Sequence, residues 1–223
     1  MLEQLRKALL QAADASRAPA MQAYMKSTMP YHGVSAAPFR KIVRELFGKV
    51  SFRNPAEWQR HVLYIWRNSK FREERYAAVA LCESRAARPF QSPAALPMYE
   101  ELIVTGAWWD CVDVLASHCL GELLRRHPRE MKRKMKEWSR SDNIWKRRSA
   151  ILCQLQFKQE TDLALLYACI APSLDSGEFF LRKAIGWALR QYAWTDSAEI
   201  RRYVREHEAK LSPLSRREAL KNI

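Results

Sequence analysis

The segment RSAILCQL, residues 148–155, has near copies elsewhere in the chain, and these decide the fold. RYAAVAL begins at Arg75, RKAIGWAL begins at Arg182, and Cys111 in WWDCVDVL takes the corresponding place in a fourth segment. The steps from Arg75 to Cys111, from Cys111 to Arg148 and from Arg148 to Arg182 are 36, 37 and 34 residues. A period of this size is typical of helix-pair repeats that stack into a solenoid.

The sequence between the copies is helical as well. Only six glycines occur in 223 residues, and apolar residues recur with helical spacing rather than in alternation. A capping residue or a first-turn proline precedes several apolar stripes. These start signals are Ser35, Asn54–Pro55, Asp142 and Thr195–Asp196. The pattern predicts roughly a dozen helices of about 10–18 residues, in an all-α, single curved solenoid that forms one domain over residues 1–223.

The charge of the chain predicts an anionic partner. Lys and Arg number 38 against 24 Asp and Glu, which gives a net charge of +14 and a pI near 9.8. Nucleic acid is the first candidate, with an acidic membrane surface or an acidic protein behind it. A solenoid has one concave face, and we expect a rod-like polyanion to lie against a basic face of that kind.

The sequence shows no pattern typical of a targeting signal, a disulfide framework or a metal site. The N-terminal segment has no signal-peptide core, and no apolar run approaches the length of a membrane span, so we expect a cytoplasmic protein that does not enter a membrane. The five cysteines form no CxxC pair and fall in apolar helical segments, which favours core residues over disulfides. The histidines lack metal-ligand spacing. We expect neither a metal nor a cofactor.

Residues 106–115, GAWWDCVDVL, place acids beside tryptophans. On a helix Trp109 and Asp113 lie on one face, one turn apart, at the shoulder of an apolar stripe. A partly buried carboxylate in this position needs a partner. Asp110 is interpreted differently, as a first-turn acid that interacts favourably with the helix dipole.

Arg148 is the predicted partner of Asp113, although the repeat register does not place the two side by side. It occupies an apolar row with Ile144 and Ile151, where a guanidinium is either a structural ion-pair partner or a ligand for phosphate. Trp187 flanks a second apolar stripe and is either a core residue or a ligand-binding one. The residues themselves leave both alternatives open.

Several long runs of the sequence resemble those of a known protein family. The chain is similar over nearly its whole length to the bacterial AlkD family of DNA alkylation-repair glycosylases, whose fold is a horseshoe of HEAT-like helical repeats. The runs that carry the resemblance are YMKSTMPYHGV (24–34), WWDCVD (108–113), DNIWKRRSAILCQLQFK (142–158), EFFLRKAIGWALRQYA (178–193) and PLSRREALKNI (213–223). His32 and Cys111 depart mildly from the family pattern, at positions without an expected role.

The resemblance implies roles for individual residues. The family's catalytic aspartate falls on Asp113, its sugar-contacting tryptophans on Trp109 and Trp187, and its backbone-contacting arginine on Arg148. Tyr24 matches a tyrosine of the DNA-facing N-terminal helices. Two further cations inside the matching runs, Lys158 and Arg190, are expected to bind DNA.

The implied activity is that of a monofunctional DNA glycosylase of base excision repair. It would hydrolyse the N-glycosidic bond of cationic purines, N3-methyladenine and N7-methylguanine, in double-stranded DNA without flipping the base. We expect it to act as a monomer and to be nucleoid-associated through DNA binding. Two alternatives stay open: a non-catalytic helical-repeat module that binds nucleic acid or protein, and a paralogue that binds damage without turnover.

Overall fold

The computed structural model describes residues 1–223 and is all-helical, which confirms the predicted fold class. The fourteen α-helices are α1 Leu2–Gln11, α2 Ala18–Met25, α3 Ala36–Phe47, α4 Pro55–Arg67, α5 Arg72–Glu83, α6 Leu96–Gly106, α7 Trp109–Val114, α8 Gly121–Arg126, α9 Pro128–Trp138, α10 Ile144–Leu152, α11 Leu163–Ile170, α12 Phe179–Ala193, α13 Ser197–Glu206 and α14 Pro213–Ala219. Six of these helices (α2, α7, α8, α10, α11 and α14) are shorter than the predicted 10 residues, and the longest, α12, has 15. No helix is both long and apolar enough to cross a membrane.

Three of the four predicted start signals lie directly before a helix, at α3, α4 and α13. Asn54 caps α4 by accepting a hydrogen bond from the Glu57 backbone N–H, and Asp196 caps α13 in the same way. Ser35 precedes α3 but makes no side-chain cap bond. The predicted cap at Asp142 is wrong by one residue, because the Asn143 side chain accepts from the first backbone N–H groups of α10.

The helices group into two compact units, residues 1–91 and 92–223. The boundary falls within the Pro/Ser-rich segment 88–97, the richest in these residues in the sequence. This grouping does not test whether the chain folds as one domain, and the single domain over residues 1–223 stays a prediction.

In the first unit a buried carboxylate fastens a loop to α5. Glu73 is 1% exposed and accepts hydrogen bonds from the backbone N–H groups of His32, Gly33 and Val34 at 3.0–3.2 Å. Gly33 has φ +82°, and a Cβ there would lie 2.0 Å from the Asp14 carbonyl oxygen. Glycine is therefore required by both conformation and space.

In the second unit α10 is the central helix. It packs against α6, α7, α9, α11 and α12, and its residues Ala150, Ile151 and Leu152 are buried. Three of the four similar sequence segments lie on α7, α10 and α12, which pack in that order. The repeat found in the sequence therefore corresponds to stacked helices here. All five cysteines are buried, as expected of core residues.

Candidate active site

The helix that carries Asp113 changes its winding immediately after that residue. A π-helical segment, Leu115–Leu120, joins α7 to α8 without a break. The Ser117 hydroxyl donates to the Asp113 carbonyl oxygen at 2.6 Å. π segments are uncommon and occur frequently at functional sites, and periodicity in the sequence gave no sign of this one.

Asp113 and Arg148 form a two-point ion pair between α7 and α10. Arg148 Nε donates to Asp113 Oδ1 at 2.7 Å, and Nη2 donates to Oδ2 at 2.8 Å. The two side chains are only 13% and 6% exposed. The predicted partnership is confirmed, and its parallel geometry is the strongest that an arginine and a carboxylate can adopt.

The far side of the Arg148 guanidinium is anchored as well. Its Nη1 donates to the Phe180 carbonyl oxygen at 2.5 Å. The Phe180 ring packs against two tryptophans, with centroids 5.1 Å from Trp108 and 4.9 Å from Trp145, and these two rings also contact each other. The Phe180 carbonyl could not be predicted as a partner of Arg148, because a backbone acceptor has no signature in the side-chain pattern.

Arg148 keeps donors for another ligand while it holds Asp113. A guanidinium has five N–H groups, and the contacts to Asp113 and Phe180 use three of them. One N–H on each terminal nitrogen is left over. The alternatives that the sequence left open, ion-pair partner and phosphate ligand, are therefore compatible in a single side chain.

The environment of Asp113 opposes its ionisation. Burial raises the pKa of the Asp113 carboxyl above its ordinary value, since a charge is poorly solvated there, and the nearby Asp110 charge adds to this effect. The hydrogen bonds and charge of Arg148 act in the opposite direction. A carboxylate of this kind is held ready to interact with a cation, because water solvates it poorly.

The two predicted tryptophans lie on helices that flank α10. Trp109 is the first residue of α7, one turn before Asp113, and Trp187 lies in the middle of α12. Both are partly exposed, and Trp187 also packs against the core of the second unit. The contacts to a sugar that the resemblance implies remain predictions.

The predicted DNA-binding residues differ in how available they are. Tyr24 lies on α2 in the first unit and is 77% exposed. Lys158 is exposed at the start of a short turn with φ +51°. The Arg190 guanidinium donates to Glu218 at 2.6 Å, and Lys183 pairs with the same carboxylate. For all three, a DNA contact stays a prediction.

Asp110 has the local role that the sequence indicated. It lies in the first turn of α7, and its carboxylate accepts from the Cys111 backbone N–H at 2.8 Å. An acid in this position stabilises the positive end of the helix. The two aspartates of GAWWDCVDVL are thus distinguished by their partners: Asp110 accepts a local backbone N–H, and Asp113 pairs with a guanidinium 35 residues away.

Comparison with known proteins gives the site its context. The model of the family described as DNA alkylation repair enzyme matches residues 5–223. The chain belongs to this family. The DNA alkylation repair enzymes have a DNA repair role and DNA as their substrate, and both apply to this member.

A solved structure supports the same conclusion. A protein described as a predicted DNA alkylation repair enzyme from Enterococcus faecalis is 28% identical and superimposes with a TM-score of 0.80. The match covers 95% of this chain and 96% of that one. No curated protein sequence matches the chain.

Proposed function

We propose that this family member is a DNA glycosylase that releases cationic alkylated purines, N3-methyladenine and N7-methylguanine, from duplex DNA. The observation that carries the proposal is the Asp113 carboxylate, which is largely buried, held at both oxygens by Arg148 and one helical turn from Trp109. A largely buried carboxylate one helical turn from a tryptophan suits a substrate that develops positive charge.

The reaction breaks the bond between the sugar C1′ and a base nitrogen. The bond electrons go to the base, which already carries a positive charge and leaves as a neutral methylpurine. The sugar becomes cationic, water adds to C1′, and a proton is released. Asp113 stabilises the cation and orients the water, and this fixed electrostatic contribution is worth about 10²–10³ in rate for one group.

The tryptophans have a complementary role in this proposal. An aromatic face attracts positive charge, so Trp109 and Trp187 would hold the deoxyribose as its charge develops. Arg148 would contact a phosphate with its two remaining N–H groups. Since phosphate contacts carry no base information, recognition of damage would depend on the lability of the cationic nucleoside. The protein would act without flipping the base, as a cytoplasmic, DNA-associated monomer.

Substrate charge provides the direct test. Purified protein is incubated with duplexes containing N7-methylguanine, and released base is measured by chromatography; matched duplexes contain the neutral lesions hypoxanthine or 1,N6-ethenoadenine. We expect release of the cationic base and little release of the neutral ones, with EDTA having no effect. A bulky cationic adduct should also be released, because a base that is not flipped needs no enclosing pocket.

Two results would overturn the proposal. Binding of the methylated duplex without release would identify a non-catalytic member. Rapid excision of hypoxanthine would require a general acid and a base-binding pocket, because a neutral purine is a poor leaving group.

A further inference from the structure

Helix α9 in the second unit and the turn that follows it present four cations to solvent. The helix buries Met131, Met135 and Trp138 against the rest of the unit. The cations are Arg129, Arg133, Lys136 and Arg140, all exposed, and we call them the basic stripe. Arg140 follows the helix and folds back onto it, since its Nη1 donates to the Lys136 carbonyl oxygen at 3.0 Å.

The basic stripe points away from the interior of the unit. At about 100° per residue, its helical members fall within a sector of about 60°. The three buried residues occupy the opposite side of the helix on the same projection. This buried side meets α8, α10 and α11. The stripe therefore lies on the side of α9 opposite its contact with α10, the helix that carries Arg148.

The stripe differs from neighbouring cations in having no carboxylate partners. On and around α9, Lys132 pairs with Asp162 at 2.7 Å and Lys134 pairs with Glu137 at 2.8 Å. Arg126, just before the helix, has a carboxylate partner at 2.6 Å. Each of the four stripe residues lacks such a pair, although Glu130 and Glu137 lie beside them. Like charges left unpaired in a row repel one another, and a polyanion relieves that repulsion.

We propose that the basic stripe is a second, sequence-independent binding surface for the phosphate backbone of duplex DNA. Its helical members span about 10 Å, over which one strand of B-DNA presents about three phosphates. The surface holds a neighbouring duplex segment while the candidate active site holds another, so the protein passes directly between segments. This inference requires no glycosylase activity, and it stands or falls separately from the proposed function.

Transfer kinetics on undamaged DNA test the proposal. The protein is bound to a fluorescent duplex, and the rate of loss is measured in stopped flow against rising concentrations of unlabelled duplex at low salt. In direct transfer the competitor binds before the first duplex leaves, so the observed rate rises with competitor concentration. We expect this dependence for the unaltered protein.

The stripe variant is Arg129→Gln, Arg133→Gln, Lys136→Gln and Arg140→Gln together. We expect the slope of its dissociation rate against competitor concentration to fall at least about tenfold, because the phosphate contacts of the second duplex are lost. The matched control replaces four ion-paired arginines by glutamine: Arg53, Arg126, Arg202 and Arg216. This control also loses four positive charges, and its dissociation rate should still rise with competitor concentration. Circular dichroism and thermal melting establish that both variants are folded.

Three outcomes would overturn the proposal. The stripe variant could keep the full concentration dependence, the matched control could lose it equally, or the unaltered protein could show none. Vesicles containing an anionic lipid test the alternative that the stripe binds a membrane surface. If the unaltered protein binds them through the stripe while direct transfer is absent, the stripe is a membrane surface.

Discussion

At the scale of single residues, the Asp113–Arg148 pair determines what the site can do. The side chains are 13% and 6% exposed, so either charge alone would be costly to bury. Each carboxylate oxygen receives a guanidinium N–H, and the guanidinium is fixed on its far side by Phe180. Arg148 thereby favours the charged form of the Asp113 carboxylate and fixes its orientation. Stabilising a cationic transition state requires both properties.

Replacing Asp113 by asparagine should separate chemistry from binding. We expect Asp113→Asn to lower single-turnover excision of N7-methylguanine by about 10²–10³, since it removes the charge that stabilises the sugar cation. Duplex affinity should stay similar or increase slightly, because a repulsion with phosphate is removed. Asp110→Asn is the control, as Asp110 accepts a local backbone N–H, and should change the rate little. Excision at the unaltered rate in Asp113→Asn would exclude its catalytic role.

The pH dependence of excision should report the ionisation of Asp113. Because burial raises the pKa of this carboxyl, activity should decline with falling pH at a higher pH than an ordinary aspartate would give. Arg148→Lys removes the two-point contact, so the acid limb should move further toward neutral pH. Single-turnover rates across pH measure both curves. Identical acid limbs in the two proteins would contradict the coupling.

The raised pKa of Asp113 also makes the stability of the protein depend on pH. The folded protein holds the Asp113 proton more tightly than the unfolded chain does, since the pKa is raised in the fold. This group's contribution to the free energy of unfolding therefore falls as pH rises from the ordinary aspartate pKa to the folded one.

At the scale of elements, α10 carries Arg148 and depends on its first turn. The Asn143 side chain accepts from the backbone N–H groups of Trp145 and Lys146 at 3.0 and 3.1 Å. These are two of the N–H groups that a helix leaves without intrahelical partners. The cap therefore fixes where α10 begins and with it the position of Arg148 one turn later.

Removing this cap should destabilise the second unit. We expect Asn143→Ala to lower the free energy of unfolding by about 1 kcal/mol, since two backbone donors lose their acceptor. Ser35→Ala is the matched control, because Ser35 precedes α3 without a side-chain cap bond, and its effect should be smaller. Urea unfolding followed by circular dichroism measures both. Equal losses would mean that the Asn143 hydrogen bonds contribute nothing beyond helix propensity.

At the scale of the whole molecule, the excess of cations dominates encounters with DNA. The chain has a net charge of +14, and several exposed cations, among them the basic stripe, have no carboxylate partner. Neutralising phosphates releases condensed counterions, so affinity for any duplex should depend on salt, with or without damage.

Binding to an undamaged duplex should weaken steeply with salt. If six or more phosphates are contacted, affinity should fall on the order of 10³-fold between about 50 and 200 mM salt. Fluorescence anisotropy measures the slope of log affinity against log salt, and exchanging chloride for glutamate controls for anion release. Arg148→Ala should make the slope shallower by about 0.9, one phosphate's worth. An unchanged slope with a lowered melting temperature would leave Arg148 as a structural partner only.

From the amino-acid sequence alone, the helical elements and the residues of a candidate site could be predicted. Helical periodicity and capping residues predicted the all-α fold, because both signals are local. The rows of Trp109 with Asp113, and of Arg148 with its apolar neighbours, identified the candidate site. The resemblance to a family of repair enzymes implied roles for the same residues, and the match to the family model now confirms the resemblance.

How these residues meet depends on the packing of the helices. The repeat register did not place Arg148 beside Asp113, yet packing of α7 on α10 brings their polar atoms within 2.7–2.8 Å. The Phe180 carbonyl, the aromatic cluster around it and the π segment after Asp113 were also absent from the sequence interpretation. Long-range contacts and backbone acceptors depend on how helices stack, and side-chain periodicity records only which face of each helix is apolar.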